Sequence, residues 1–268
     1  MKRPGSTGSS TIRLSAVVAA AAVVAAAVVA ATAVTGCSDS GSPSGASATT
    51  STPATTVSPT ATTAPASKRV DPAATARLHV AALTGDVDGV RRAIADGADL
   101  ESRGAHGRTP LVAATKNRHA ASAIALLDAG ADPNAKDDLQ DSAFLYAGAE
   151  GFDDILRATL RHGADVTSLN RYGGTALIPA SEHAHVSTVA ILIDARVPLD
   201  VVNKSGWTAL LEAVVLGDGD APHVETVRRL LDAGADPSIA DFDHVTPRQH
   251  AVNRGQTAVV AEFDRPRR

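Results

Sequence analysis

The chain has 268 residues, of which 44% are hydrophobic and only 3% aromatic, and its formal net charge is −4. A single cysteine excludes an internal disulfide and a zinc site built on several thiolates. The mildly acidic balance argues against a nucleic-acid-binding protein, which would need a basic surface.

Residues 1–36 are predicted to be an export signal and not part of the folded domain. The three charged side chains in this stretch are all basic, and an almost unbroken alanine and valine run follows at 14–34. The run leads into Val34-Thr35-Gly36-Cys37, which resembles the end of a bacterial lipoprotein signal peptide. The resemblance implies cleavage before Cys37, a diacylglycerol on its thiol, and a lipid-anchored protein on the extracytoplasmic face of the cell membrane.

Two alternatives to lipidation stay open at this point, a secreted protein and a single uncleaved transmembrane anchor. The 21 residues of 14–34 are long enough to span a bilayer, although alanine is only weakly apolar and makes a poor permanent span. Cleavage would remove the three basic side chains and lower the net charge from −4 to −7.

Residues 37–70 are predicted to be the lipidated cysteine followed by a disordered tether. The stretch is rich in Ser, Thr, Pro and Ala and has almost no large apolar side chains, so it cannot bury enough surface to fold. A coil of this length would span roughly 30 Å and would hold the following domain away from the membrane.

From residue 71 onwards, two short signatures return at a fixed interval. Gly-Ala-Asp occurs at 97–99, 130–132, 163–165 and 234–236, so the first gaps are 33 residues long. A Thr or Ser that begins a second signature has the same spacing, at Thr109, Ser142, Thr175, Thr208 and Thr246. A 33-residue period that begins with Thr-Pro-Leu and ends with Gly-Ala-Asp resembles the ankyrin repeat.

This resemblance implies an all-α fold, an ankyrin-repeat α-solenoid of helix-turn-helix units joined by short β-hairpin-like loops. It places about five repeats and a C-terminal cap within 71–268. Each Thr or Ser is expected to cap the first helix of its unit, and each glycine to end the second helix. The expected units are 71–104, 105–137, 138–170, 171–203, 204–241 and a truncated sixth unit at 242–268.

Repeats 4 and 5 depart from the pattern. Repeat 4 has Arg196-Val197-Pro198 where Gly-Ala-Asp should stand, and Pro179 lies early in its first helix. We expect this repeat to be locally distorted, since proline removes a helical hydrogen bond and arginine is disfavoured in a left-handed cap. Repeat 5 carries a five-residue insertion within 216–223, which is predicted to be a flexible lip.

The resemblance also implies a partner-binding surface on the concave side, made of the hairpin tips and the exposed ends of the first helices. Trp, Tyr and Arg are common anchors of protein interfaces. Trp207 has two interpretations. It is either an anchor for a partner or structural filler that packs on a neighbouring hairpin. The candidate residues at these positions are Leu139, Arg171, Tyr172, Glu182, His183, Lys204, Trp207, Leu216 and Phe242.

The sequence contains no nucleophile motif, phosphate-binding glycine loop or zinc-protease motif, so we expect a protein that is not an enzyme. Glu182-His183-Ala184-His185 offers too few ligands for a metal, and the insertion lacks a calcium pattern. The expected function is a non-catalytic module that binds an unidentified protein partner as a monomer, without cofactor, metal or nucleic acid. The alternative is a binder of a small molecule or cell-wall component, which a compact polar pocket around Glu182, His183 and the insertion would favour.

Overall fold

The computed structural model describes residues 70–266, which form successive helix pairs without strands. Within this range no helix is long and apolar enough to cross a membrane. The signal segment, Cys37 and the tether up to residue 69 lie outside the described residues. The helices are α1 (Pro72–Thr84), α2 (Val87–Ala95), α3 (Pro110–Lys116), α4 (Ala120–Asp128), α5 (Ala143–Ala149), α6 (Asp153–Arg161), α7 (Leu177–Glu182), α8 (Val186–Asp194), α9 (Ala209–Val215), α10 (Ala221–Asp232), α11 (Pro247–Asn253) and α12 (Thr257–Asp264).

The pairs stack in chain order, which confirms the predicted α-solenoid. The odd-numbered helices, here called inner helices, contact one another in succession from α1 to α11, and the even-numbered outer helices do the same from α2 to α12. One residue of each of the first five inner helices occupies the same register position and is fully buried. Stacking therefore creates a continuous core that no single unit could form. These residues are Leu78, Leu111, Phe144, Leu177 and Leu210.

The repeated Thr or Ser caps the inner helix as predicted in four of the five units. In each, the hydroxyl accepts a hydrogen bond from the backbone N–H three residues later, at 3.2–3.3 Å. Thr246 adds a capping box, because the Gln249 side chain accepts a hydrogen bond from its N–H in return. The capping residues are Thr109, Ser142, Thr208 and Thr246.

Repeat 4 is the exception and shows the predicted distortion. Pro179 has no N–H, and its ring is incompatible with a helical carbonyl at Thr175. Helix α7 therefore begins only at Leu177, and the Thr175 hydroxyl is buried without a hydrogen-bond partner. In the four capped units, the N–H of the fourth residue after the cap donates to the carbonyl of the capping residue at 2.9–3.0 Å, and Pro179 cannot make this bond.

Arg196 takes the left-handed conformation that glycine has at the same position elsewhere. Its φ is 61°, compared with 84° at Gly163. The turn itself is kept, because the N–H of Val197 bonds to the carbonyl of Leu192 at 3.1 Å, as Ala164 bonds to Thr159 at 3.0 Å. Arg196 therefore strains the backbone locally, while the hydrogen bond of the turn is the same as in the other repeats.

The insertion of repeat 5, which is predicted to be a flexible lip, is partly helical and is hydrogen-bonded at Gly217. Helix α10 has 12 residues where the other outer helices have eight or nine, and the Asp220 carboxylate caps its extra turn. In the loop before it, the carbonyl of Gly217 accepts hydrogen bonds from Arg254 at 3.1 Å and Gln256 at 2.9 Å.

The final unit, expected to be truncated, contains both of its helices, α11 and α12. Its inner helix carries Arg248 where the earlier units have a buried apolar residue, and Arg248 Nε lies 2.8 Å from Asp264 Oδ1. A polar outer face suits the unit at the end of the described stack.

Candidate interaction surface

Four of the five loops between repeats are tips built around an Asp or Asn, whereas the first loop has Gly104 at the equivalent position. In each of the four, one side-chain oxygen accepts hydrogen bonds from the backbone N–H groups two and four residues ahead, at 2.9–3.1 Å. Because these bonds close the loop on itself, the residues in between are held outward in a fixed conformation. The central residues are Asp137, Asn170, Asn203 and Asp241.

Large apolar side chains project from these tips into solvent. Tyr172 is 57% exposed and Phe242 is 72% exposed, and Leu139 is also exposed as predicted. The Phe242 ring lies on the preceding tip, where a Cβ at Gly206 would come within 2.8 Å of it. We call the row of tips the tip edge, and its exposed apolar residues are Leu139, Leu169, Tyr172, Val202 and Phe242.

Leu169 and Val202 are not among the partner-binding residues predicted from the sequence. Each directly precedes the central Asn of a tip, Asn170 or Asn203. An apolar residue at that position is a sequence pattern that would have predicted both. Trp207, for which both a partner-binding and a structural role are predicted, is half-buried in the structure. Its backbone closes the tip, with its N–H bonded to Asn203 Oδ1 at 3.0 Å and its carbonyl to the Asn203 N–H at 2.9 Å.

Cations run along the same edge and connect neighbouring tips. Lys136 Nζ donates to the carbonyl of Leu169 and Lys204 Nζ to the carbonyl of Arg171, both at 2.8 Å. Arg103 likewise donates to the carbonyl of Lys136. The acceptors of all three cations are neutral carbonyl groups. Within residues 70–266, no ion pair joins Arg103, Lys136 or Lys204 to a carboxylate.

Arg171 belongs to the same row and holds the neighbouring aromatic ring. Its guanidinium lies 4.6 Å from the centre of the Tyr172 ring, within the range of a cation–π contact. It also lies 3.4 Å from Asp141 Oδ1. The predicted residues Arg171 and Tyr172 therefore form one unit on the tip of repeat 4.

A buried charge network fixes the tip of repeat 3 to the inner helix α3. Lys116 Nζ lies 2.6 Å from Asp137 Oδ2 and 2.8 Å from Asp141 Oδ2, and 5.0 Å from the centre of the Tyr146 ring. Burial alone would raise the pKa of Asp137, but hydrogen bonds from Lys116 and from the N–H groups of Asp141 and Leu139 outweigh it and lower the pKa. Asp137 therefore stays ionised and paired.

A carboxyl pair lies between the inner helices of repeats 4 and 5. Glu212 is only 7% exposed, and its Oε1 accepts a hydrogen bond from Asn203 Nδ2 at 2.7 Å. Burial, together with the charge of Glu182 and a hydrogen bond to it, raises the pKa of Glu212 to about 7, against the opposing effect of Asn203. Glu212 therefore keeps its proton at a higher pH than an ordinary glutamate.

The remaining candidates lie at the ends of inner helices. Glu182 is half-buried beside Glu212, whereas His183 and Leu216 are exposed at the ends of α7 and α9. The insertion abuts this region, because His223 Nε2 lies 3.1 Å from the carbonyl oxygen of Glu182. The structure thus forms two groups from the predicted residues, one on the tip edge and one at the inner-helix ends.

Metal binding finds no support in the region that the structure covers. Across 70–266, no group of three or more His, Cys, Asp or Glu side chains could hold a metal ion. His185 belongs to the Glu182-His183-Ala184-His185 sequence and is the N-cap of helix α8. Burial lowers the pKa of its imidazole.

Comparison with known proteins agrees with this architecture. The family profile described as "Ankyrin repeats (3 copies)" matches residues 66–137 and 144–241. The ankyrin repeat protein YahD of Escherichia coli K12 is 36% identical over 177 residues, covering 66% of this chain and 88% of YahD. An ankyrin-containing lipoprotein of Leifsonia xyli subsp. xyli is 62% identical over 42 residues, which is 16% of each chain.

Solved structures give the same result. The crystal structure of an ankyrin repeat domain from Acinetobacter baumannii AYE matches with a TM-score of 0.68 and 48% sequence identity, over 69% of this chain and 95% of that one. More than half of the present chain matches the family profile. The chain therefore belongs to the ankyrin-repeat family, whose repeats are protein-interaction modules and are generally non-catalytic.

Proposed function

We propose that this protein is a non-catalytic interaction module that binds a partner protein on its tip edge and inner-helix ends. The observation that carries the proposal is the row of exposed apolar side chains on rigid tips, Leu139, Leu169, Tyr172, Val202 and Phe242. Clustered exposed apolar groups with a polar rim are typical of protein-interaction sites. A surface that is already ordered loses little conformational freedom when a partner binds.

Chemical crosslinking on intact cells, followed by mass spectrometry, tests this function. The full chain is compared with a Tyr172→Ala/Phe242→Ala variant, which removes the two aromatic rings of the tip edge. The control is Arg157→Ala/Arg161→Ala, which changes two exposed residues of the outer helix α6. We expect the tip variant to lose partner crosslinks that the control keeps. Unchanged crosslinks in the tip variant would show that these rings do not bind the partner.

We further propose that the module is displayed on the extracytoplasmic face of the cell membrane, anchored by lipid on Cys37. The basic start, the apolar run and the Val34-Thr35-Gly36-Cys37 sequence support this, as does the short match to a protein named as an ankyrin-containing lipoprotein. Radiolabelled palmitate should enter the wild-type protein but not Cys37→Ser. A Cys37→Ser protein that remained fully membrane-bound would instead support an uncleaved anchor.

The alternative function, binding a small molecule or cell-wall component, required a polar pocket beside Glu182 and the insertion. At that place His223 contacts the carbonyl of Glu182, and Glu182 pairs with Glu212. These contacts favour the protein-binding surface over the alternative.

A further inference from the structure

Three cations of the tip edge donate to neutral acceptors, on a chain that is acidic as a whole. The cations Arg103, Lys136 and Lys204 donate to neutral carbonyls and form no ion pair within residues 70–266, although Lys136 also attracts the exposed carboxylate of Asp165. The exposed acids on the tips are Asp138 and Asp243. The other tip carboxylates have partners, because Asp137 and Asp141 contact Lys116 and Asp241 contacts His250. Arg171 adds a fourth cation, which is shared between Asp141 and the Tyr172 ring.

Cationic and apolar side chains alternate along this edge. Lys136 reaches the backbone of Leu169, and Arg171 lies over the ring of Tyr172. Lys204 reaches the backbone of Arg171 on the preceding tip. The exposed apolar groups Leu169 and Tyr172 are therefore each close to a positive charge, and a ligand that covers either of them also meets the cation.

We propose that the tip edge between Lys136 and Phe242 binds an acidic segment of a partner protein, in which Asp or Glu alternates with aromatic or aliphatic residues. This inference rests on the proposed function and specifies the chemistry of its partner. Carboxylates complement the cations, while apolar side chains cover Leu139, Tyr172 and Phe242. A bare polyanion would leave those three groups in water and would meet the repulsion of the net negative chain.

The test is a selection of displayed random 12-residue peptides against the immobilised full-length chain. We expect the enriched peptides to combine Asp or Glu with Leu, Phe or Tyr. A synthetic peptide of the enriched sequence should bind Lys136→Gln/Lys204→Gln on the order of tenfold more weakly, and more weakly at higher salt. Glutamine removes the charge and keeps an N–H donor, with a reach one bond shorter than that of lysine. Arg157→Gln/Arg161→Gln removes the same charge from α6 and should bind normally.

Three results would overturn the proposal. They are enriched peptides without an excess of acidic residues, equal binding by the lysine variant, and failure to enrich any peptide. Polyglutamate and inorganic polyphosphate serve as polyanion probes. If they bound as tightly as the peptide and equally well to Tyr172→Ala, the edge would be a simple polyanion site. Acid-poor peptides that lose affinity for Tyr172→Ala would reject the acidic partner and keep the proposed function.

Discussion

At the scale of single residues, Arg196 shows how much a repeat depends on its glycine. A residue with a Cβ costs roughly 1 kcal/mol more than glycine in the left-handed conformation. Arg196 is exposed, so its replacement changes little besides the backbone preference.

Replacing Arg196 with glycine should therefore stabilise the protein by about 1 kcal/mol, because the strain at φ 61° is relieved. Thermal or denaturant unfolding measures the change. The reciprocal change, Gly163→Arg, introduces the same strain at φ 84°, where a Cβ meets no atom within 4 Å, and should destabilise by a similar amount. No gain from Arg196→Gly would refute the strain explanation.

The carboxyl pair makes stability depend on pH. The pKa of Glu212 rises from 4.5 to about 7 in the folded protein, so the folded state holds a proton that the unfolded chain releases. The free energy of unfolding should therefore decrease as pH rises from about 4.5 to about 7, by up to about 3 kcal/mol.

Replacing Glu212 with glutamine should flatten this pH dependence and make the variant more stable than wild type at pH 8. The amide mimics the protonated carboxyl, which can donate to Glu182 without a buried charge. Urea unfolding across pH 4–8 measures it. A Gln variant with the same pH slope as wild type would show that another group is responsible.

At the scale of elements, the start of α7 is where local chemistry and the repeat pattern conflict. Thr175 has the right residue type for a cap, but Pro179 removes the first helical bond and the cap is not made. The helix is held in place by its neighbours, since α7 contacts both α5 and α9.

Pro179→Ala should restore the bond to the Thr175 carbonyl and stabilise the protein by roughly 1 kcal/mol, the usual contribution of one hydrogen bond. Pro110→Ala is the matched control. Pro110 is the first residue of α3, where proline displaces no hydrogen bond, so this change should be neutral or slightly destabilising. Both are measured by thermal unfolding. Equal effects of the two changes would contradict the explanation for α7.

The sequence predicted those elements that depend on local chemistry. Thr109 and Ser142 cap their helices, and the strained position at Arg196 was visible as a missing glycine. The helical turn added before His223 was not predicted, because Asp-Gly-Asp favours a loop and only Asp220 acts as a cap.

The contacts between repeats were harder to predict. Glu182 and Glu212 lie seven and four residues after the first Thr of their units, and these positions face each other only when two units are stacked. Lys116 pairs with Asp137 and Asp141 of the following tip for the same reason. Aligning the units in register would have revealed both pairs as candidates. The half-burial of Trp207 depends on side-chain packing that no register position specifies.

At the scale of the whole molecule, the stack separates the roles of its surfaces. The fully buried positions of the inner helices hold the units together, while the tips present side chains that the core does not need. A change on a tip can therefore alter binding without unfolding the domain. This separation is what makes the partner surface testable by substitution.

The central claim is that a partner contacts the tip edge, and site-specific photo-crosslinking in intact cells tests it most directly. A photoreactive residue is placed at Tyr172 on the tip edge, or at Arg157 on the outer helix α6, in the full-length chain. Both positions are exposed, so both can react equally well. We predict discrete protein adducts from position 172 and none of the same mass from position 157. Identical adducts from both positions, or none from position 172, would contradict the claim.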